Sequence, residues 1–171
     1  MAYLLRHWID LANLLIAAVG VPALVYHVSG VHETIAVQNK QIKAQTLGTL
    51  YAHYFDVCRT LLAKPYLRPY VYDGRRIDET LRVDESRRAE VTIICELMTG
   101  LLEQAVVQRN NVPDDAWNNC WKRFLEEMYK DRDGEMARFY RANSHFYTAE
   151  FSGIVRALLD SKADRTIART A

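Results

Sequence analysis

His53 and Asp56 stand three residues apart, which puts both side chains on one face of a helix. A His and an Asp so placed could hold a metal, or act as a base and the group that orients it. Both chemistries need a third group, and none lies close by in the sequence. Glu96 and Glu103, seven apart, also share a helix face. Inward-facing glutamates are the raw material of a ferritin-like di-iron site, which further needs Glu-x-x-His motifs on facing helices. No Glu-x-x-His occurs in the chain. The two glutamates lie across from Ile94, Met98 and Leu101, so the pattern assigns them to a solvated or interfacial face.

His27 could ligate a haem or pigment metal, although its place near the end of an apolar segment is accounted for by an interfacial role. His7 and His32 flank the same segment, and His145 falls opposite the stripe of Asn143 and Tyr147, on an exposed face. The chain has no Walker loop, Gly-x-Gly-x-x-Gly, nucleophile elbow, His-Glu-x-x-His or Cys-x-x-Cys, so nothing positive points to a hydrolase, a nucleotide enzyme or a zinc site. No cofactor is implied. Twenty-two Lys and Arg against 21 Asp and Glu give a net charge of +1, which supplies no field for nucleic acid. Cys58, Cys95 and Cys120 are odd in number and far apart, which reads as small core residues in a reducing compartment.

The elements that would position these groups are helices. Only 7 Gly and 4 Pro in 171 residues leave few breaks, and 50% hydrophobic with 25% charged residues is a globular composition. Leu11 to Val28 carries no formally charged residue, and about 20 apolar residues suffice to cross a bilayer core of about 30 Å. Tyr3 and Trp8 at one end, and Tyr26 with His27 at the other, are placed as interfacial residues would be. Gly20 and Pro22 would bend such a helix, and Asn13 within it would seek a partner helix. A cleaved signal peptide competes, with Val21-Pro22-Ala23 as a weak cleavage site, as does a buried or in-plane helix. Arg6 against Lys40 and Lys43, together with the unpaired cysteines, orients the C-terminal domain toward the cytoplasm.

Beyond residue 30 a polar neck leads into a stripe at Leu50, Tyr54, Val57 or Cys58, and Leu61, and the two form one long helix. Pro65 ends it near Lys64. Residues 65–85 hold two prolines, three tyrosines and an Asp73-Gly74 turn signal. Two readings of this stretch stand side by side. Tyr66, Leu67, Tyr70, Val71 and Tyr72 could cap the open end of a bundle while Arg68, Arg75 and Arg76 pair with carboxylates. Alternatively, Tyr66, Arg68, Tyr70, Tyr72, Arg75 and Arg76, together with Asn13 in the span, are candidate partner-binding residues for an acidic partner or a lipid headgroup.

A second helix runs from an Asp84 cap to Arg109, its core face Val91, Ile94, Cys95, Met98, Leu101, Leu102, Ala105 and Val106. A third opens at Pro113 with Trp117, Trp121, Phe124 or Leu125, and Met128 facing inward. After a break at Asp131 to Gly134, Met136, Phe139, Tyr140, Tyr147, Phe151, Ile154 and Leu158 recur at helical spacing. The expected fold is all-α: an N-terminal transmembrane helix continuing into a long helix packed in a small antiparallel helical bundle. It divides into an anchor (1–30), a bundle domain (31–160) and a loose tail (161–171).

Arg68-Pro69-Tyr70-Val71-Tyr72-Asp73-Gly74, a following helix with Ile94-Cys95-Glu96-Leu97, and the segment Trp117 to Tyr129 resemble a group of uncharacterised bacterial proteins. The resemblance spans Leu47 to Tyr129 and implies one N-terminal hydrophobic helix with a small helical domain. It implies no activity, and no functional residue is carried over from it.

The expected function is non-enzymatic: a scaffold or accessory subunit of a larger complex in the inner (cytoplasmic) membrane, with the lipid bilayer and other membrane proteins as partners. One alternative is a single-pass sensor or effector that self-associates, with Asn13 and the Leu50 to Leu61 stripe as the seam. The other is an enzyme with a site that one sequence does not reveal, which invariance of His53, Asp56, Glu96 or Glu103 among homologues would support.

Overall fold

The computed structural model describes the backbone of residues 2–77 and 84–170, and the side chains of Trp8 and of residues 18–77 and 84–160. All regular structure among them is helical. The chain forms two compact units, Met1–Ile42 and Lys43–Ala171.

Helix α1 runs Ala2–Ala63 with Pro22 inside it. It stops where Pro65 forbids helical geometry at the residue before it, and Lys64 adopts φ −132° and ψ 72°. The expected transmembrane helix falls partly on residues 9–17, whose side chains lie outside those described. Among the described residues no helix is long and apolar enough to cross a membrane.

In the second unit, a 3-10 turn (Pro65–Leu67) and the short helix α2 (Arg68–Tyr72) follow α1 and bury Leu67, Tyr70 and Val71. Gly74 then reverses the chain at φ 65°, a conformation that glycine adopts without the Cβ penalty of other residues. Helix α3 (Glu85–Val107) starts as its sequence signals: the Asp84 carboxylate accepts the Arg87 backbone N–H at 3.2 Å. All eight expected core positions of α3 are buried.

Asn110 and Asn111 close α3 through a 3-10 turn (Arg109–Asn111), and α4 (Asp114–Ala116) leads through a π-turn (Trp117–Trp121) into α5 (Lys122–Met128). The wide turn shifts the register of the face that follows. Trp121, Leu125 and Met128 are buried, while Phe124 is half-buried at the edge of an aromatic cluster. The run expected to be continuous from Met136 is divided into α6 (Glu135–Asn143), a 3-10 turn (Ser144–Phe146) and α7 (Ala149–Thr170). Two contacts account for the break. The Asn143 amide donates to the Phe139 carbonyl at 2.9 Å, and Glu103 on α3 accepts the Thr148 N–H at 2.6 Å just ahead of α7. Glu103 thus serves as a long-range cap for α7.

The interior centres on Tyr129, Tyr140 and Phe151, packed edge to face with centroids 5.9–6.4 Å apart. Their polar ends are satisfied inside: Tyr129 donates to Thr99 Oγ1 at 3.3 Å and Tyr140 to the Ser152 carbonyl at 3.2 Å. Thr99 in turn donates to the Cys95 carbonyl at 2.7 Å. The cysteines depart from the expectation of three core residues: Cys95 is buried and Cys58 half-buried, but Cys120 is exposed on the π-turn. Helical periodicity alone could not place Cys120, because the wide turn changes the register at that point.

Candidate functional site

The residues with candidate chemistry meet at a groove of about 620 Å³ in the second unit, between the last turns of α1 and the middle of α3. His53, Asp56, Val57 and Thr60 form one wall; Ile93, Glu96, Leu97, Gly100, Leu101 and Gln104 form the other. The two walls share a rule of construction. Positions 53, 57 and 60 on α1, and 93, 97, 100 and 104 on α3, each recur at alternating spacings of three and four, which keeps a line of residues on one face of a helix. On α3 this line runs beside the buried core stripe, and Gly100, lacking a side chain, leaves room in it.

His53 is fixed across the groove, with Nδ1 2.8 Å from Oε1 of Gln104. With the amide oxygen as acceptor, Nδ1 is the donor. Asp56 does not serve as its orienter. Its Oδ1 takes the Arg59 guanidinium at 3.1 Å, and its carbonyl accepts the Thr60 hydroxyl. Glu96 reaches the opposite rim and is exposed, whereas Glu103 is engaged at the start of α7. Among the described residues no three His, Cys, Asp or Glu side chains are grouped to hold a metal. The groove therefore presents an oriented imidazole and two carboxylates beside an apolar floor.

The tyrosine-rich stretch has another character. Tyr70 is buried, with the Arg75 guanidinium 5.6 Å from its ring centroid. Tyr72 is half-buried under Arg68 at 5.6 Å, its ring 6.4 Å from Phe124. Arg76 donates Nε to the Asp133 carbonyl at 2.9 Å and pairs with its carboxylate. Leu67, Tyr70 and Val71 belong to the core, and Arg68, Arg75 and Arg76 each have a partner within the chain. Tyr66 remains exposed. Its hydroxyl donates to Glu90, which also takes Lys64 at 2.7 Å, and Arg87 lies over its ring at 5.5 Å. Lys64 and the Tyr66 hydroxyl hold the Glu90 carboxyl below the ordinary glutamate range. The Asn13 side chain lies outside the described residues.

An aromatic cluster of Tyr51, Tyr54, Phe55, Tyr72, Trp121 and Phe124 flanks this region. Burial pushes the Tyr54 hydroxyl well above the ordinary tyrosine range, so it stays a neutral donor. Tyr51, Phe55 and Leu62 fall within about 40° of one another around α1 and are exposed, forming an apolar strip about 16 Å long. Leu50, Val57 and Leu61, the stripe considered as a seam between copies, are buried in the chain's own core instead.

His53–Gln104, Lys64–Glu90–Tyr66 and Glu103–Thr148 escaped sequence reasoning, since each joins residues more than twenty positions apart. Only the second stripe on α3 left a readable signal. Compared with known proteins, the chain matches no family model, no curated protein and no solved structure.

Proposed function

We propose that this chain is a non-enzymatic helical protein, anchored in the inner membrane by its N-terminal helix and acting as a scaffold or accessory subunit of a larger membrane protein complex. One observation carries the reading. Val19, Val21, Leu24, Val25, Tyr26 and Val28 are 46–83% exposed. At about 100° per residue four of these positions cluster within about 100° and the other two lie on the opposite side of α1. Between residues 19 and 30 the remaining gap of about 140° holds only Gly20, Ala23, His27 and Gly30, which leaves no charged face to turn toward water. Covering each such side chain is worth roughly 1.5–3 kcal/mol, so a sleeve of this kind calls for an apolar environment. Together with the uncharged stretch from Leu11, a bilayer is the environment that covers every side of a helix at once. Tyr51, Phe55 and Leu62 supply the contact strip for a partner subunit, and Arg6 against Lys40 and Lys43 favours the cytoplasmic side for the second unit.

Full-length protein should float with membranes and resist alkaline extraction, and mild detergent should release it together with other membrane proteins. Replacing Leu24 and Val25 with glutamate should shift it to the unbound fraction. Recovery of the parent chain in the soluble fraction would remove the anchor; recovery from mild detergent as a lone monomer would remove the scaffold.

A further inference from the structure

Most arginines of the second unit have internal partners. Arg59, Arg76, Arg87, Arg109 and Arg138 each pair with a carboxylate, while Arg68 and Arg75 lie over tyrosine rings. Arg132, Arg141 and Arg156 differ. None makes a side-chain ion pair, hydrogen bond or ring contact among the described residues, yet all three line a single cavity of about 160 Å³. They reach it from three elements: the turn before α6, the last turn of α6, and α7.

The remaining lining is sparse in counter-charge. Among the described residues of the lining Asp160 is the one carboxylate, and it too forms no ion pair with any of them. Asp131 and Asp133, the sequence neighbours of Arg132, are engaged elsewhere, Asp131 packed against Gly74 and accepting the Asp133 N–H, and Asp133 paired with Arg76. Buried Leu159 and Tyr140 form the floor; the Tyr140 hydroxyl is already donated to the Ser152 carbonyl. Ser144 adds a hydroxyl at the rim, its hydrogen directed to the Arg141 carbonyl. The carbonyls ending α6 moderate the charge of Arg141 without neutralising the other two.

Among the described residues, three arginines against one carboxylate leave an excess of two positive charges around a space far smaller than a typical small-molecule pocket. Guanidinium presents its N–H groups as a planar fork that matches the oxygens of a phosphate, and forks carried by three separate elements suit a tetrahedral dianion better than a planar carboxylate. We propose that the cavity lined by Arg132, Arg141 and Arg156 binds a phosphate group bearing two negative charges, either free or as the phosphomonoester headgroup of a lipid.

The test uses the full chain in neutral detergent at constant ionic strength, titrated calorimetrically with inorganic phosphate, with short-chain phosphatidic acid, and with short-chain phosphatidylcholine as a lipid lacking the phosphomonoester. Saturable binding of inorganic phosphate or of phosphatidic acid, at least tenfold weaker in R141Q/R156Q and unchanged in the equally discharged R88Q/R123Q, is the expected result. Binding of phosphatidic acid alone assigns the lipid source; binding of inorganic phosphate assigns the free one. If R141Q/R156Q loses its cooperative melt, R132Q takes its place in the same comparison. Absence of saturable binding to both phosphate probes, or equal weakening in the two double variants, overturns the proposal. So does binding of phosphatidylcholine as tight as that of phosphatidic acid.

Discussion

The backbone of Gly74 rests against Gly134, so closely that a Cβ at position 134 would stand 2.9 Å from the Gly74 Cα. Arg76 and Ile77, just beyond Gly74, bond to Asp133 and to the Glu135 carboxylate, so this approach sets how the end of α2 meets the start of α6. Gly134→Ala should therefore destabilise the bundle by about 1–3 kcal/mol through overpacking against backbone. Gly74→Ala adds the cost of left-handed geometry for a residue with a Cβ, about 1–2 kcal/mol, to a clash with Asp131. Thermal melts should fall by several degrees for each. Unchanged melting of Gly134→Ala would mean that the two turns do not touch in solution.

Thiol reactivity should separate the cysteines. Cys120 is exposed and should alkylate rapidly in the native protein, Cys58 more slowly. Cys95 should react only after unfolding, because burial, with a smaller contribution from Glu135, pushes its thiol up to about 12. Mass spectrometry of timed iodoacetamide labelling reads the order directly, and early labelling of Cys95 would contradict the core described above.

Tyr129 tests the polar pair inside the core. Tyr129→Phe keeps the ring and removes the hydrogen bond to Thr99, at an expected cost of about 0.5–1.5 kcal/mol. Tyr129→Ala also opens a cavity between Tyr140 and Phe151 and should cost about 3–5 kcal/mol. Urea unfolding of the two variants compares them, and near-equal losses would show that the ring contributes little.

The Lys64–Glu90–Tyr66 contact should be pH-dependent with a defined sign. Glu90 is held below its ordinary value, chiefly by Lys64, so its contribution is present above the ordinary glutamate range. It is lost as pH falls through the depressed value. Lys64 is raised by the same partner, so its contribution holds below the ordinary lysine range and fades as pH rises through the raised value. Carboxyl NMR titration should show the Glu90 midpoint moving up in Lys64→Met, with a smaller rise in Tyr66→Phe. A midpoint that stays in place in Lys64→Met would mean that the pair is not formed in solution.

Much of the architecture was legible because it is local. Pro65 stops α1, Asp84 caps α3, and the apolar positions of α3 recur at helical spacing, so the helix and its buried face follow from neighbouring residues. The division of the last helical run was not legible. Met136 to Leu158 keeps a helical period across Ser144 to Thr148, and the cap that starts α7 comes from Glu103, 45 residues away. The candidate site shows the same divide. His53 and Asp56 were visible as a same-face pair, but the group that orients His53 is Gln104 on another helix, and Asp56 belongs to Arg59.

The sequence by itself determined an all-helical chain, where α1 ends, where α3 begins and ends, and the uncharged N-terminal stretch, because propensity, capping and period act within a few residues. Tertiary structure alone decided which charges are neutralised. Arg68, Arg75 and Arg76, for which the sequence allows a capping and a recognition reading side by side, lie over tyrosine rings or pair with the Asp133 carboxylate. Arg132, Arg141 and Arg156, unremarkable in sequence, converge without partners among the described residues. The reason is physical: a charge's environment depends on which helices pack beside it, and that packing joins residues that the sequence keeps far apart.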